Sequence, residues 1–139
     1  MLQSSQPADS KGGHMPAKRI LIVDDQAETR RLVRWGLTDN GFTLHEAANA
    51  AGALQLARAL HPDLVILDVV LPGETDGLAL CRQFRADAEL ATLRVLILSA
   101  NADPKDRLAA MDAGADAYLS KPFSPVELDR QVQALLSKT

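Results

Sequence analysis

The side chains of this sequence best suited to chemistry are the adjacent carboxylates Asp24 and Asp25, the carboxylate of Asp68, the hydroxyl of Ser99 and the amine of Lys121. Read singly, each has an ordinary explanation: Asp68 as a turn residue after a strand, and Asp24-Asp25 as a solvated turn. Read together, they make a reactive set. Two like charges 4 Å apart cost roughly 4 kcal/mol at an effective dielectric near 20. Lys121 balances one of the three carboxylates, which leaves two negative charges for a divalent cation to neutralise. Oxygen ligands with retained waters select Mg²⁺ over zinc. An Asp beside Mg²⁺, an amine and a hydroxyl can attack phosphorus in line and become an aspartyl phosphate. The metal and Lys121 would neutralise phosphoryl oxygens, Ser99 would donate to a third, and the small Ala100 leaves room for the group to enter.

These residues meet only if the fold gathers them. Arg19-Ile20-Leu21-Ile22-Val23 runs into Asp24-Asp25, and Leu64-Val65-Ile66-Leu67 runs into Asp68. Leu93 to Leu98 precedes Ser99, and Ala117-Tyr118-Leu119 comes just before Lys121. Such short apolar runs predict strands buried on both faces, as in a parallel sheet. Phe42 to Ala47 predicts a more polar, edge strand. Helices alternate with the strands. The first, Ala27 to Asp39, has Leu32, Val33, Gly36 and Leu37 as its inward stripe, with Arg30, Arg31 and Arg34 facing out and Asn40-Gly41 ending it. Trp35 falls on its polar side, where an aromatic beside arginines suits a docking surface. Ala50, Ala53, Leu54 and Ala57 stripe the second helix, which His61-Pro62 closes. Gly77, Leu80, Cys81 and Phe84 stripe the third. Asp103-Pro104 caps the fourth, which Gly114 ends. Ser124-Pro125-Val126-Glu127 forms a capping box for the fifth, with Phe123 and Leu128 as a hydrophobic staple. Five strands alternating with five helices predict an α/β sandwich with right-handed crossovers, all strands ending at one edge. Open sheets bind ligands at that edge.

Composition narrows the alternatives. The 139 residues suffice for one domain, residues 18–139, after a polar, aperiodic stretch at residues 1–17 that predicts a disordered tail, native or appended. A net charge of −3 argues against nucleic acid or an anionic membrane as a direct partner. Cys81 is the only cysteine, so no internal disulfide forms, in keeping with a cytoplasmic location. No run approaches a membrane span.

Asp24-Asp25, the run ending in Asp68 and followed by Leu71-Pro72-Gly73, Ser99-Ala100, and Tyr118-Leu119-Ser120-Lys121-Pro122-Phe123 resemble the receiver domain of two-component response regulators, from about Lys18 to the C-terminus. The resemblance implies the flavodoxin-like strand order 2-1-3-4-5. It implies Asp68 as phosphoacceptor from a histidine kinase or histidine phosphotransfer protein, docking near Trp35 and the first helix. Asp25, Asp68 and the backbone carbonyl of Val70 would bind Mg²⁺, and Asp24 would act through a water. Lys121 would pair with Asp68 and then with the phosphate. Ser99 and Tyr118 would form the switch, re-shaping a face of the fourth helix, fifth strand and fifth helix, presented by Arg107, Tyr118 and the outer side of the last helix, for a downstream partner. The Lys121-Pro122 bond would be cis. Two departures stand out. The loop from Pro72 to Gly77 is one residue longer than the commonest pattern. Val70 and Asn101 occupy the two variable positions that tune phosphoryl lifetime in the family, and the apolar Val70 cannot orient an attacking water, which predicts slow loss of phosphate. Such a protein would not turn over an external substrate. The chain ends close after the fifth helix, which leaves a stand-alone receiver or a piece of a longer regulator.

Rival chemistries fit less well. A haloacid-dehalogenase-type hydrolase needs a second Asp two positions after the nucleophile, where this chain has Val70. A nucleotide-binding module needs a glycine-rich loop where Asp24-Asp25-Gln26 stands. A degenerate receiver that takes no phosphate and acts as an interaction module is the remaining alternative, although every chemical position is filled.

Overall fold

The computed structural model describes residues 17–137. The tail assigned to residues 1–17 lies outside these, apart from the exposed Ala17. Along the chain come β1 (Arg19–Val23), α1 (Ala27–Leu37), β2 (Thr43–Ala47), α2 (Ala50–Leu60), β3 (Leu64–Asp68), α3 (Gly77–Ala86), β4 (Arg94–Ser99), α4 (Pro104–Asp112), β5 (Ala117–Ser120) and α5 (Pro125–Leu136). The strands form one sheet in the order β2-β1-β3-β4-β5, every pair parallel. This is the flavodoxin-like order 2-1-3-4-5, with the more polar β2 at an edge as its composition predicts.

Strand residues alternate between two apolar layers. Ile20, Ile22, Leu64, Ile66, Leu96 and Leu98 face one cluster, closed by Val33 and Leu37 of α1 and by Leu128, Val132 and Leu135 of α5. Leu21, Val23, Val65, Leu67, Val95 and Ile97 face the other, closed by α2, α3 and α4 through such residues as Ala53, Phe84 and Ala110. Burial on both faces explains why these strands read as unbroken apolar runs.

Register, more than order, builds the reactive edge. Val23 lies opposite Leu67, Asp68 opposite Leu98, and Ser99 opposite Ser120. Asp24, Asp68, Ser99 and Lys121 therefore leave neighbouring strands at nearly one level.

Local signals behave largely as their chemistry dictates. Ser124 accepts the N–H of Glu127, Asp103 that of Lys105, and Phe123 and Leu128 share one core cluster. Asp76 and Asn49, which carried no prediction, cap α3 and α2. His61 closes α2 at φ 49°, and the Lys121–Pro122 bond is cis. The first helix differs from its pattern. It ends at Leu37 and tightens into a 3₁₀ turn over Thr38–Asn40, where the Thr38 hydroxyl donates to the Arg34 carbonyl at 2.6 Å, before Gly41 takes φ 73°. Leu32, assigned to its buried stripe, is 39% exposed. Helix α5 packs against α1 at Gly36, where an added Cβ would sit 3.4 Å from Leu128 and Pro125.

A second clasp ties the far end of the sheet. The Arg85 guanidinium donates to the carbonyls of Gly114, Ala91 and Leu93 and to the Asp116 carboxylate at 2.9 Å. Asp116 also accepts the Val95 N–H at 2.8 Å.

Gly77 fixes how α3 meets the reactive edge. Its N–H donates to the Val69 carbonyl at 2.8 Å, and a Cβ there would stand 2.0 Å from the Asp68 carbonyl oxygen. Backbone cannot yield cheaply at that contact. Gly77→Ala is expected to cost about 1–3 kcal/mol in urea unfolding, and an unchanged midpoint would contradict the crowding.

Candidate functional site

The turn after β1 is held at every polar atom of Asp24. Its N–H donates to the Ala47 carbonyl at 3.1 Å, its Oδ1 accepts the Gln26 N–H at 2.8 Å, and its Oδ2 accepts Lys121 Nζ at 3.1 Å. Its carbonyl accepts Arg30 Nη1 at 2.6 Å. The residue is 1% exposed. Asp25, next along the turn, is exposed, and among the described residues its carboxylate takes no hydrogen bond or salt bridge. Asp68 is buried at the end of β3, its Oδ1 facing the Val70 N–H at 3.4 Å and its Oδ2 facing Lys121 Nζ at 3.4 Å.

Lys121 therefore bridges two strands. It pairs with Asp68, as the resemblance implies, and sits slightly closer to Asp24. One oxygen from each of Asp24, Asp25 and Asp68 lies within 4.8 Å of the others. Three carboxylates against one ammonium leave two negative charges, and the donors are all hard oxygens. That set fits a hard divalent cation, with Asp25 the acid left without a protein partner.

Burial pushes the Asp68 carboxyl above its ordinary range, and the Asp24 charge adds to this, against the opposing pull of Lys121 and the Val70 N–H. Between its unfolded and its raised folded range the native chain binds the extra proton. Stability contributed at this position consequently falls as pH rises through that window.

The rest of the pocket lies across β4. Ser99 is buried; its Oγ accepts the Asn101 N–H at 3.1 Å and its carbonyl accepts the Lys121 N–H at 2.7 Å. Tyr118 is 3% exposed, so it contributes no open surface to its face. Its hydroxyl donates to the Asn101 carbonyl, and the Arg107 guanidinium lies 5.0 Å from its ring centre. A cavity of about 300 Å³ opens between Val70, Leu78, Ser99 and Tyr118. The Val70 side chain is 72% exposed, and Trp35 is 69% exposed on α1.

One participant departs from its reading. Arg30, expected to face solvent beside Arg31 and Arg34, is pinned between Glu46 at 2.7 Å and the Asp24 carbonyl, its side chain 18% exposed. The helical wheel carries no signal for this, because its partners lie on β2 and in the β1 turn.

Asp68→Asn removes a crowded charge without orphaning Lys121, which keeps Asp24. In metal-free buffer the substitution is expected to raise the unfolding midpoint at pH 7 by a few degrees, a gain that fades toward about pH 4, where carboxylates protonate. A lowered midpoint in calorimetric scans at pH 7 would contradict the electrostatic reading.

The comparisons agree on what surrounds this site. The family described as response regulator receiver domain matches residues 20–133. The response regulator MprA of Mycobacterium ulcerans is 41% identical over 121 residues, covering 87% of this chain and 51% of its own length. That of Mycolicibacterium vanbaalenii is 42% identical over the same shares. The chain thus spans about half the length of these curated relatives. Among solved structures, a response regulator from Chloroflexus aurantiacus superposes with a TM-score of 0.84 at 36% identity, covering 88% of this chain and all of that one. The chemotaxis response regulator CheY4 of Vibrio cholerae superposes at 0.81 with 28% identity, over 86% of this chain and 99% of that one. No helix among the described residues is long and apolar enough to cross a membrane. With its sheet order, its acidic edge and these matches, the chain belongs to the receiver domains of response regulators.

Proposed function

We propose that Asp68 accepts a phosphoryl group from a phosphohistidine, carried by a histidine kinase or a histidine phosphotransfer protein, and that the acyl phosphate is read out at the face of α4, β5 and α5. The observation that carries this reading is the Lys121 ammonium lying 3.1 Å from Asp24 and 3.4 Å from Asp68, with three carboxylates converging beside it.

A carboxylate oxygen of Asp68 forms the new P–O bond as the donor's P–N bond breaks. The electron pair leaves with the imidazole. The carboxylates of Asp25 and Asp68 and the carbonyl of Val70 would hold Mg²⁺, with Asp24 acting through a water, and the ion would supply neutralising charge. Lys121 exchanges its bond to Asp68 for one to a phosphoryl oxygen and keeps Asp24. The Ser99 hydroxyl, freed from the Asn101 N–H, donates to another phosphoryl oxygen.

That movement couples to Tyr118 through Asn101, whose N–H meets Ser99 and whose carbonyl meets the Tyr118 hydroxyl. Tyr118 is already inward, so the phosphoryl group favours the state with Ser99 drawn toward it and Tyr118 held in place, and the shift in population alters the surface around Arg107, Leu108 and Met111. Leu108 is 69% and Met111 44% exposed there, available to a downstream protein. The protein is not a turnover enzyme, and the buried free thiol of Cys81 suits a cytoplasmic setting.

The phosphodonor docks on α1 beside α5. Trp35 and Val126, 69% and 68% exposed, flank a shallow cavity of about 260 Å³ floored by Gly36 and Pro125. Pro125 begins α5, a few residues after Lys121, so a partner seated on this groove reaches the acidic edge.

Incubation with Mg²⁺ and acetyl phosphate, read by intact mass, is expected to add one phosphoryl group to the wild type and none to Asp68→Asn. Unlabelled wild type would favour an interaction module that takes no phosphate. Because the Val70 side chain is apolar, the labelled protein should lose phosphate slowly, and a half-life of seconds would contradict that. Trp35→Ala is expected to slow transfer from a phosphotransfer protein competent with the wild type by about tenfold, while acetyl phosphate labelling stays unchanged. Equal rates of protein-borne transfer would remove Trp35 from the docking surface.

A further inference from the structure

The Asp24–Asp25 turn carries two of the three acids, and only Asp24 has its side chain anchored. Asp25 is held from both sides: the Gln26 N–H after it donates to Asp24 Oδ1 at 2.8 Å, and before it stands the peptide that joins it to Asp24. That unit is planar, so fixing its carbonyl oxygen fixes the direction in which the next residue leaves. The oxygen is the Asp24 carbonyl, and its side-chain partner is Arg30 Nη1 at 2.6 Å.

Arg30 is itself held in place. Its Nε donates to Glu46 Oε1 at 2.7 Å, while Arg34 Nε takes the other oxygen at 2.8 Å. The Arg30 hydrogen bond, with Arg34 assisting, holds the Glu46 carboxyl below its usual range. Glu46 sits on β2 opposite Ile22 of β1. Arg30 thus ties α1, β2 and the β1 turn together at the one peptide on which the Asp25 ligand hangs. A lone solvated arginine would need none of these contacts.

We propose that Arg30 is a positioning residue for the cation site: it sets the orientation of Asp25 through the Asp24 carbonyl, and with it the affinity for Mg²⁺. This rests on the reading of the acidic edge as a Mg²⁺ site. Arg34 supplies the internal control. It shares Glu46 but touches the Leu44 carbonyl on β2 instead of the turn, so losing it weakens the same bridge and leaves the Asp24 carbonyl held.

The test is calorimetric titration of Mg²⁺ into wild type, Arg30→Ala, Arg30→Lys and Arg34→Ala, with thermal unfolding of each in metal-free buffer. Partners that orient metal ligands typically contribute 10- to 100-fold to affinity, and Arg30→Ala is expected to weaken Mg²⁺ binding by about tenfold. Arg30→Lys, which keeps a donor for the carbonyl, recovers part of that loss. Arg34→Ala stays within about twofold of wild type even if its unfolding midpoint drops as far. Mg²⁺ binding by Arg30→Ala as tight as wild type, or an equal loss in Arg34→Ala, would overturn the inference while leaving the metal site intact. A wild type that binds no Mg²⁺ would overturn the metal-site reading and the inference with it.

Discussion

Carboxylates from two strands share one ammonium, and the arrangement depends on that pairing. Lys121 faces Asp24 and Asp68 at hydrogen-bonding range, while Asp25 completes a cluster of acids without a positive partner. Burying like charges is unfavourable unless something compensates them. One amine is not enough. Burial first, and the Asp24 charge after it, keep the Asp68 carboxyl above its ordinary range, and the excess of carboxylates suits the cation site proposed above.

Everything that surrounds this cluster serves to hold it at fixed spacing. The strands are buried on both faces, so slipping any one of them by a residue would swap its two apolar faces and carry its terminal acid or amine to the other side of the sheet. Gly77 lets α3 close on the carbonyl of Asp68. The Arg85–Asp116 clasp secures the opposite end of the sheet, far from the chemistry. The edge is thus stabilised by parts that lie outside the acidic cluster.

Much of this was legible in the residues. The strands announced themselves as apolar runs because both their faces are covered, and Asp24, Asp68, Ser99 and Lys121 were visible because each follows such a run. Gly41, His61 and Ser124 acted as the punctuation their chemistry suggests. What stayed hidden depends on partners distant in sequence. Arg30 looks like its neighbours Arg31 and Arg34 on a helical wheel, and only its bond to the carbonyl of the β1 turn sets it apart. Leu32 looked like a core residue, but α1 buries Val33 and Leu37 and leaves Leu32 39% exposed. The double engagement of Lys121, nearer Asp24 than Asp68, follows from strand register, which no local pattern encodes. The inward position of Tyr118 depends on Asn101, a loop residue with no periodicity.

If the charge imbalance at the edge is the governing constraint, a cation that relieves it must stabilise the folded chain by mass action. The direct measurement is the unfolding midpoint across a Mg²⁺ series at constant ionic strength, for wild type and Asp25→Asn. The midpoint of the wild type should climb with the logarithm of Mg²⁺ concentration, and that of Asp25→Asn should climb far less. A wild-type midpoint that stays flat across the series, or an Asp25→Asn midpoint that rises in parallel, would contradict the account.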